Sequence, residues 1–104
     1  MPKARRGEIW IADLGMVAKV RPVLILSVEY RDNERAVVTY VIRTTSVRGT
    51  QYEVSHEARG MPTGAFDAQG IASIPDVKLE RRLGVVSEEI LTKVEDAVCN
   101  WLGF

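Results

Sequence analysis

Residues 19–27 read KVRPVLILS, in which Arg21 and Pro22 stand directly before the apolar run Val23-Leu24-Ile25-Leu26. Such a run is too uniformly apolar for a strand with one wet face. It is also too rich in branched side chains for a comfortable helix, so residues 22–28 read as a central strand covered on both sides. Pro22 belongs at its beginning, because proline has no N–H to give to a ladder in mid-strand. Arg21 is then a permanent charge at the mouth of a buried strand. Taken alone, it is a side chain that reaches water over its own methylenes.

The flanking segments repeat the pattern. EIWIA (8–12) and AVVTYVIRTTS (36–46) are dominated by β-branched and aromatic residues and predict strands, while QYEVSH (51–56) alternates as a half-buried strand does. EARGMPTGA (57–65), with two glycines and a proline, predicts a loop. GIASIP (70–75) offers a short strand, and LERRLGVVS (79–87) is open between strand and helix. Residues 87–102 form the clearest helix. Ser87 stands at the N-cap and Glu88 and Glu89 in the first turn, Ile90, Leu91, Val94, Val98, Trp101 and Leu102 make an apolar stripe, and Gly103 ends it. Several strands and one terminal amphipathic helix predict a mostly β fold, a small barrel or rolled sheet capped by that helix.

At 104 residues, 46% of them hydrophobic, the expectation is a single domain over 1–104. No apolar run approaches the roughly 18 residues of a membrane span, and the N-terminus lacks the apolar core of a signal peptide. A cytoplasmic protein with no membrane partner is the expectation. Cys99 is the sole cysteine and reads as a small buried or half-buried hydrophobe; His56 is the sole histidine and reads as a solvated or hydrogen-bonded loop residue. No phosphate-binding loop, zinc-ligand cluster, nucleophile elbow or dinucleotide fingerprint is present, so neither metal nor cofactor is expected. Glu53 and Glu57 read as solvated edge charges. Fourteen basic and fourteen acidic residues cancel, and net charge alone says nothing of nucleic acid.

Order and spacing say more. GEIWxxDL at 7–14, VRPVLILS at 20–27, VIRTTSVRG at 41–49, Glu53-Val54, FDAQGIASIP at 66–75 and RRLGVVSEEILTKVEDAV at 81–98 together resemble the MazF/PemK family of toxin-antitoxin ribonucleases. The resemblance spans nearly the whole chain. It implies a homodimeric, SH3-like or plasmid-toxin-type barrel with a C-terminal helix that cleaves single-stranded RNA, usually mRNA, at short motifs without a metal, and a cognate antitoxin that silences it. The arginine of the family's Arg-Pro pair matches Arg21, and the threonine of its Thr-Ser pair matches Thr45, followed by Ser46. Those two are the catalytic candidates; Ser46, Arg43, Arg48 and Gln69 are the RNA-binding candidates, while Tyr52 and Phe66 are open between stacking on a base and packing in the core or at an edge.

Three departures accompany the resemblance. Only GMVAK (15–19) lies where some relatives carry a long gating loop, and Arg43 stands where many have proline. Ahead of Gln69, Phe66 and Ala68 take the places of an aspartate and arginine used by some relatives. That loss motivates an alternative, a catalytically weak RNA- or peptide-binding module on the same barrel.

The chemistry suits the residues. Metal-free RNA cleavage needs donors for charge building on the nonbridging phosphate oxygens, and arginine supplies a planar, permanently charged fork. A threonine hydroxyl can hold the scissile group in line. An ordinary arginine is a poor base, because its pKa lies above about 12, and the proton acceptor is left open by the sequence.

Overall fold

Alternation along the second strand explains the architecture. In the computed structural model, which describes residues 3–15 and 19–104, strands β1 (Glu8–Asp13), β2 (Val20–Ile25), β3 (Val37–Thr44), β4 (Glu53–His56), β5 (Gly64–Pro75) and β6 (Leu79–Val85) precede helix α1 (Glu88–Leu102). They form one six-stranded sheet, ordered β4-β5-β3-β2-β1-β6, in which every pairing is antiparallel. Val23, Leu24 and Ile25 are all fully buried, and successive side chains point to opposite faces. Val23 and Ile25 join Trp10, Ala12, Val38, Tyr40 and Leu79 on one face. Leu24 joins Ile9, Val41, Phe66 and Val94 on the other, where Ile90, Leu91 and Val98 of α1 cover it. The mostly β fold with a C-terminal helix is as expected.

Details differ from the sequence reading for local reasons. β2 begins at Val20, so Arg21 and Pro22 lie within it. β3 pairs only from Val23 to Ile25, so Pro22 precedes the doubly paired span and its missing N–H interrupts no central ladder. β5 runs for 12 residues, twice the length expected, because Ala65–Asp67 pairs on both sides, with β3 and with β4. Its register against β3 jumps between Tyr40 and Ile42, an irregularity in the 68–71 segment. LERRLGV resolves as an edge strand on β1. The connection at 15–19 falls largely outside the described residues.

The helix starts and ends as its caps dictate. Ser87 Oγ accepts from the Ile90 N–H at 3.2 Å, and Gly103, at φ 82°, ends the helix in a left-handed turn that a side chain would strain. The expected stripe stops short: Val98 packs against the core but Trp101 and Leu102 are 42% and 47% exposed. Trp101 instead meets the ring of Tyr52 edge-on, centroids 5.2 Å apart. Cys99 is exposed, not the buried hydrophobe expected. It points away from the face that Val94 and Val98 bury.

Leu24→Ala should cost about 2 to 5 kcal/mol, because it opens a cavity between two covered faces. Ser87→Ala should cost about 1 kcal/mol through the lost cap. Urea midpoints at unchanged slope measure both.

Candidate functional site

Two hollows meet at the end of β3, where the ladder stops at Thr44 and the chain turns through Thr45 and Ser46. The Thr44 Oγ1 accepts from the Ser46 N–H at 3.0 Å, a local bond that hydroxyl residues favour in turns. Thr45 and Ser46 are exposed. On one side of this turn lies a cavity of about 300 Å³ lined by Arg21, Pro22, Arg43, Thr44, Thr45, Ser46, Met61 and Pro62. On the other lies one of about 230 Å³ lined by Thr44, Ser46, Arg48, Thr50, Glu53, Asp67 and Gln69. Thr44 and Ser46 belong to both, so the two form one continuous surface. Arg21 and Thr45, far apart in sequence, share the first; Ser46, Arg48 and Gln69 share the second.

Volume does not identify the site. A hollow of about 510 Å³ near the N-terminus holds Lys3, Arg5 and Arg82, but Arg5 pairs with Glu29 at 3.0 Å, Arg82 with Glu8 at 2.9 Å, and Lys3 donates to the Tyr30 carbonyl at 2.7 Å. Another of about 420 Å³ between β4 and α1 offers Lys93, which lies 3.4 Å from Glu89. Among the described residues Arg21 is exposed and engages no carboxylate. An unengaged guanidinium beside exposed hydroxyls suits an incoming phosphate better than the already engaged cations of these two hollows do.

Arg43 corrects the sequence reading. It was expected to track phosphates, yet it is 3% exposed and its guanidinium is turned into the fold. Nε donates to His56 Nδ1 at 2.9 Å, and Nη2 to the carbonyls of His56 at 2.9 Å and Pro62 at 2.7 Å. Burial lowers its pKa from the ordinary guanidinium value. His56 is likewise buried, at the end of β4 and not in a loop, with its ring 4.7 Å from that of Phe66. Desolvation, and then the charge of Arg43, lower its pKa. Its Nδ1 accepts a bond, so the proton sits on Nε2. Gly64 makes room: a Cβ there would lie 2.6 Å from the Thr44 carbonyl and 2.8 Å from Arg43 Nη1.

Phe66 is fully buried and is not available to stack on a base. Ala68, 1% exposed, faces inward with it. The outward positions of this part of β5 are Asp67 and Gln69, so the substitutions at 66 and 68 take nothing from the cleft surface. Asp67 Oδ1 accepts from the Gln69 N–H at 3.0 Å. Tyr52 is half-buried against Trp101.

Glu53 is the functional residue that sequence reasoning missed. It is not a solvated edge charge: its carboxylate accepts from the N–H groups of Arg48, Gly49 and Thr50 at 2.6 to 3.1 Å, with Gly49 at φ 75° closing the curl. Burial pushes its pKa up, but the N–H bonds of Arg48, Thr50 and Gly49 outweigh that and hold it below the ordinary 4.5. The loop that carries Arg48 is thereby fixed beside Gln69. The partners of Glu53 are backbone N–H groups, so no side-chain pattern in the sequence marks it. Among the described residues, no three of His, Cys, Asp and Glu come together as a metal site, and no helix is long and apolar enough to cross a membrane.

The fold has known counterparts. The family described as "PemK-like, MazF-like toxin of type II toxin-antitoxin system" matches residues 5–102. An endoribonuclease from a mycobacterial species, solved in complex with its cognate antitoxin, is 29% identical over 97% of this chain and 96% of its own, with a TM-score of 0.84. The Mycobacterium tuberculosis toxin MazF-mt6 is 29% identical over 93% and 97%, at 0.81. A MazE-MazF structure from Deinococcus radiodurans, 19% identical over 100% and 99% at 0.84, attests the same fold. No curated protein matches the chain significantly.

A carboxyl whose folded pKa lies below its unfolded value stabilises the fold above that value, and the contribution is lost as pH falls through the folded pKa. For Glu53 that window lies below pH 4.5. There the amides of Arg48, Gly49 and Thr50 should lose hydrogen-exchange protection. Glu53→Gln should show the same loss at pH 7.

Proposed function

The chain belongs to the PemK-like, MazF-like toxins of type II toxin-antitoxin systems, and from that membership and the Arg21–Thr45 cleft we propose that it is an endoribonuclease. Its substrate is single-stranded RNA, mRNA in the cell, cut at a short sequence motif without a metal. The observation that carries this reading is the sharing of one cavity by an unengaged arginine and the exposed hydroxyls of Thr45 and Ser46.

In the proposed reaction the ribose 2′-OH attacks the adjacent phosphorus and loses its proton. A new 2′-O–P bond forms, the P–O5′ bond breaks, and the 5′-oxygen leaves with a proton. The products are a 2′,3′-cyclic phosphate and a 5′-hydroxyl. Arg21 stabilises the charge that builds on the nonbridging oxygens, because its backbone is paired with β1 and is followed by Pro22 and three fully buried residues. Thr45 holds the scissile group in line through its hydroxyl. The Ser46 N–H is already taken by Thr44, so Ser46 contributes its side chain. His56 takes no part in proton transfer, since it is buried with Nδ1 engaged.

Ser46, Arg48 and Gln69 extend the RNA path across the second cavity, Arg48 toward phosphate and Gln69 toward base edges. We place the protein in the cytoplasm, as one toxin domain over 1–104, paired as a homodimer and silenced by a cognate antitoxin. The neighbour solved with its antitoxin supports that partner. Exposed Val85, Trp101, Leu102 and Phe104 offer apolar surface for such contacts.

Purified protein should cut a varied single-stranded RNA pool equally with and without EDTA, leaving cyclic phosphate ends. Arg21→Ala should lower the rate about 100- to 1,000-fold. Thr45→Ala should lower it while leaving binding of the antitoxin intact. An RNA pool left untouched by the wild type under both conditions would sink the reading.

A further inference from the structure

We propose that Arg43 and His56 are a positioning pair for RNA cleavage, a buried strut that fixes the Thr44–Ser46 turn against the Met61–Pro62 wall and requires a neutral His56. It rests on the reading of the Arg21–Thr45 cleft as the cleavage site.

Arg43 is the residue directly before the turn. Its side chain crosses β5 at the gap left by Gly64, reaches the backbone carbonyl of His56 on β4, and ends on the carbonyl of Pro62 in the 57–63 connection. Pro62 and Met61 line the same cavity as Arg21 and Thr45. One guanidinium therefore ties the strand that presents Thr45 to the opposite wall of the cleft. A displacement of about 1 Å in such a wall is enough to cost a reaction about 100-fold.

The tie has no counter-ion. Among the described residues no carboxylate pairs with Arg43, and its charge is balanced by neutral acceptors, of which His56 Nδ1 is one. A proton on that nitrogen would set two cations in contact, 2.9 Å apart, in a buried place where neither is screened. The Nε–Nδ1 bond would be replaced by repulsion. Few other charges bear on His56: β5 presents the Phe66 ring, Glu57 next along the chain is exposed, and α1 sets Lys93 and Asp96 beside Glu53 and Ser55 in a hollow that does not include it. Burial and the Arg43 charge both push its pKa below the ordinary 6.5, so the neutral form holds at pH 7 and is lost in acid.

The test is single-turnover and steady-state cleavage of an RNA oligonucleotide, carrying a site mapped with the wild type, from pH 8 down to the pH at which the wild type begins to unfold. Circular dichroism at each pH monitors folding. Arg43→Met should lower kcat about 100-fold with KM within about threefold of wild type. His56→Asn, whose Oδ1 replaces Nδ1 as acceptor and cannot be protonated, should keep kcat at pH 8 and abolish the acid decline of the wild type. Wild-type kcat in Arg43→Met overturns the proposal. So does a flat profile in folded wild type, or a His56→Asn profile that superimposes on a declining wild type. If Arg43→Met fails to fold, the His56→Asn profile decides. A wild type that cleaves no RNA at any pH overturns the cleft reading itself, and this proposal with it.

Discussion

A strand whose side chains are buried on both faces demands cover on both, and Val23-Leu24-Ile25 impose that demand on everything around them. One face is satisfied by the sheet itself, through Trp10, Val38, Tyr40 and Leu79. The other needs an independent element, and α1 supplies it with Ile90, Leu91, Val94 and Val98. β2 in turn becomes a stiff mount. Close packing leaves its core no room to shift, and a side chain projecting from its end inherits that rigidity. Arg21 projects from such a place, which turns an exposed and otherwise flexible guanidinium into a group with a fixed base.

Two arginines separate along this principle. Arg21 and Arg43 each lie near the end of a strand that borders the same cavity, yet one is left for an incoming anion and the other is consumed by the fold. The difference is the cost of burying charge. Arg43 is held by three acceptors on two segments, which offset its desolvation and stiffen the ground beneath the cleft. Arg21 has no such offers among the described residues and stays in water. A ribonuclease cleft needs both kinds: a charge to meet phosphate, and a frame that does not yield when it does.

Periodicity carried the strands, the helix and its caps, because burial on a strand or helix face leaves a direct trace in the order of residues. KVRPVLILS and the Ser87 cap were legible for that reason, and family resemblance marked Arg21 and Thr45. What was not legible depends on which way one residue faces in a distorted strand. Gly64 and Ala65 read as the end of a glycine loop because both are small, and so the strand was expected only from Gly70. With no strand assigned to 66–69, nothing fixed that Phe66 and Ala68 face inward and Asp67 and Gln69 outward. Arg43 was misread because nothing local marks an arginine whose partners, His56 and Pro62, arrive from later in the chain. Glu53 escaped notice for a similar reason: three backbone N–H groups leave no side-chain pattern to recognise.

The pairing of β1 with β6, Glu8 against Val85 and Ala12 against Leu79, has a consequence in time. The first strand cannot fill its free edge until the sixth has been made, and the face that holds Leu24 stays open to water until α1 follows. A nascent chain thus carries Arg21 and Thr45 long before it can hold them still. Folding dominated by such distant pairings is slow and cooperative. Activity should therefore arrive with the finished chain, so that unfinished products are inert even though every cleft residue precedes the last strand.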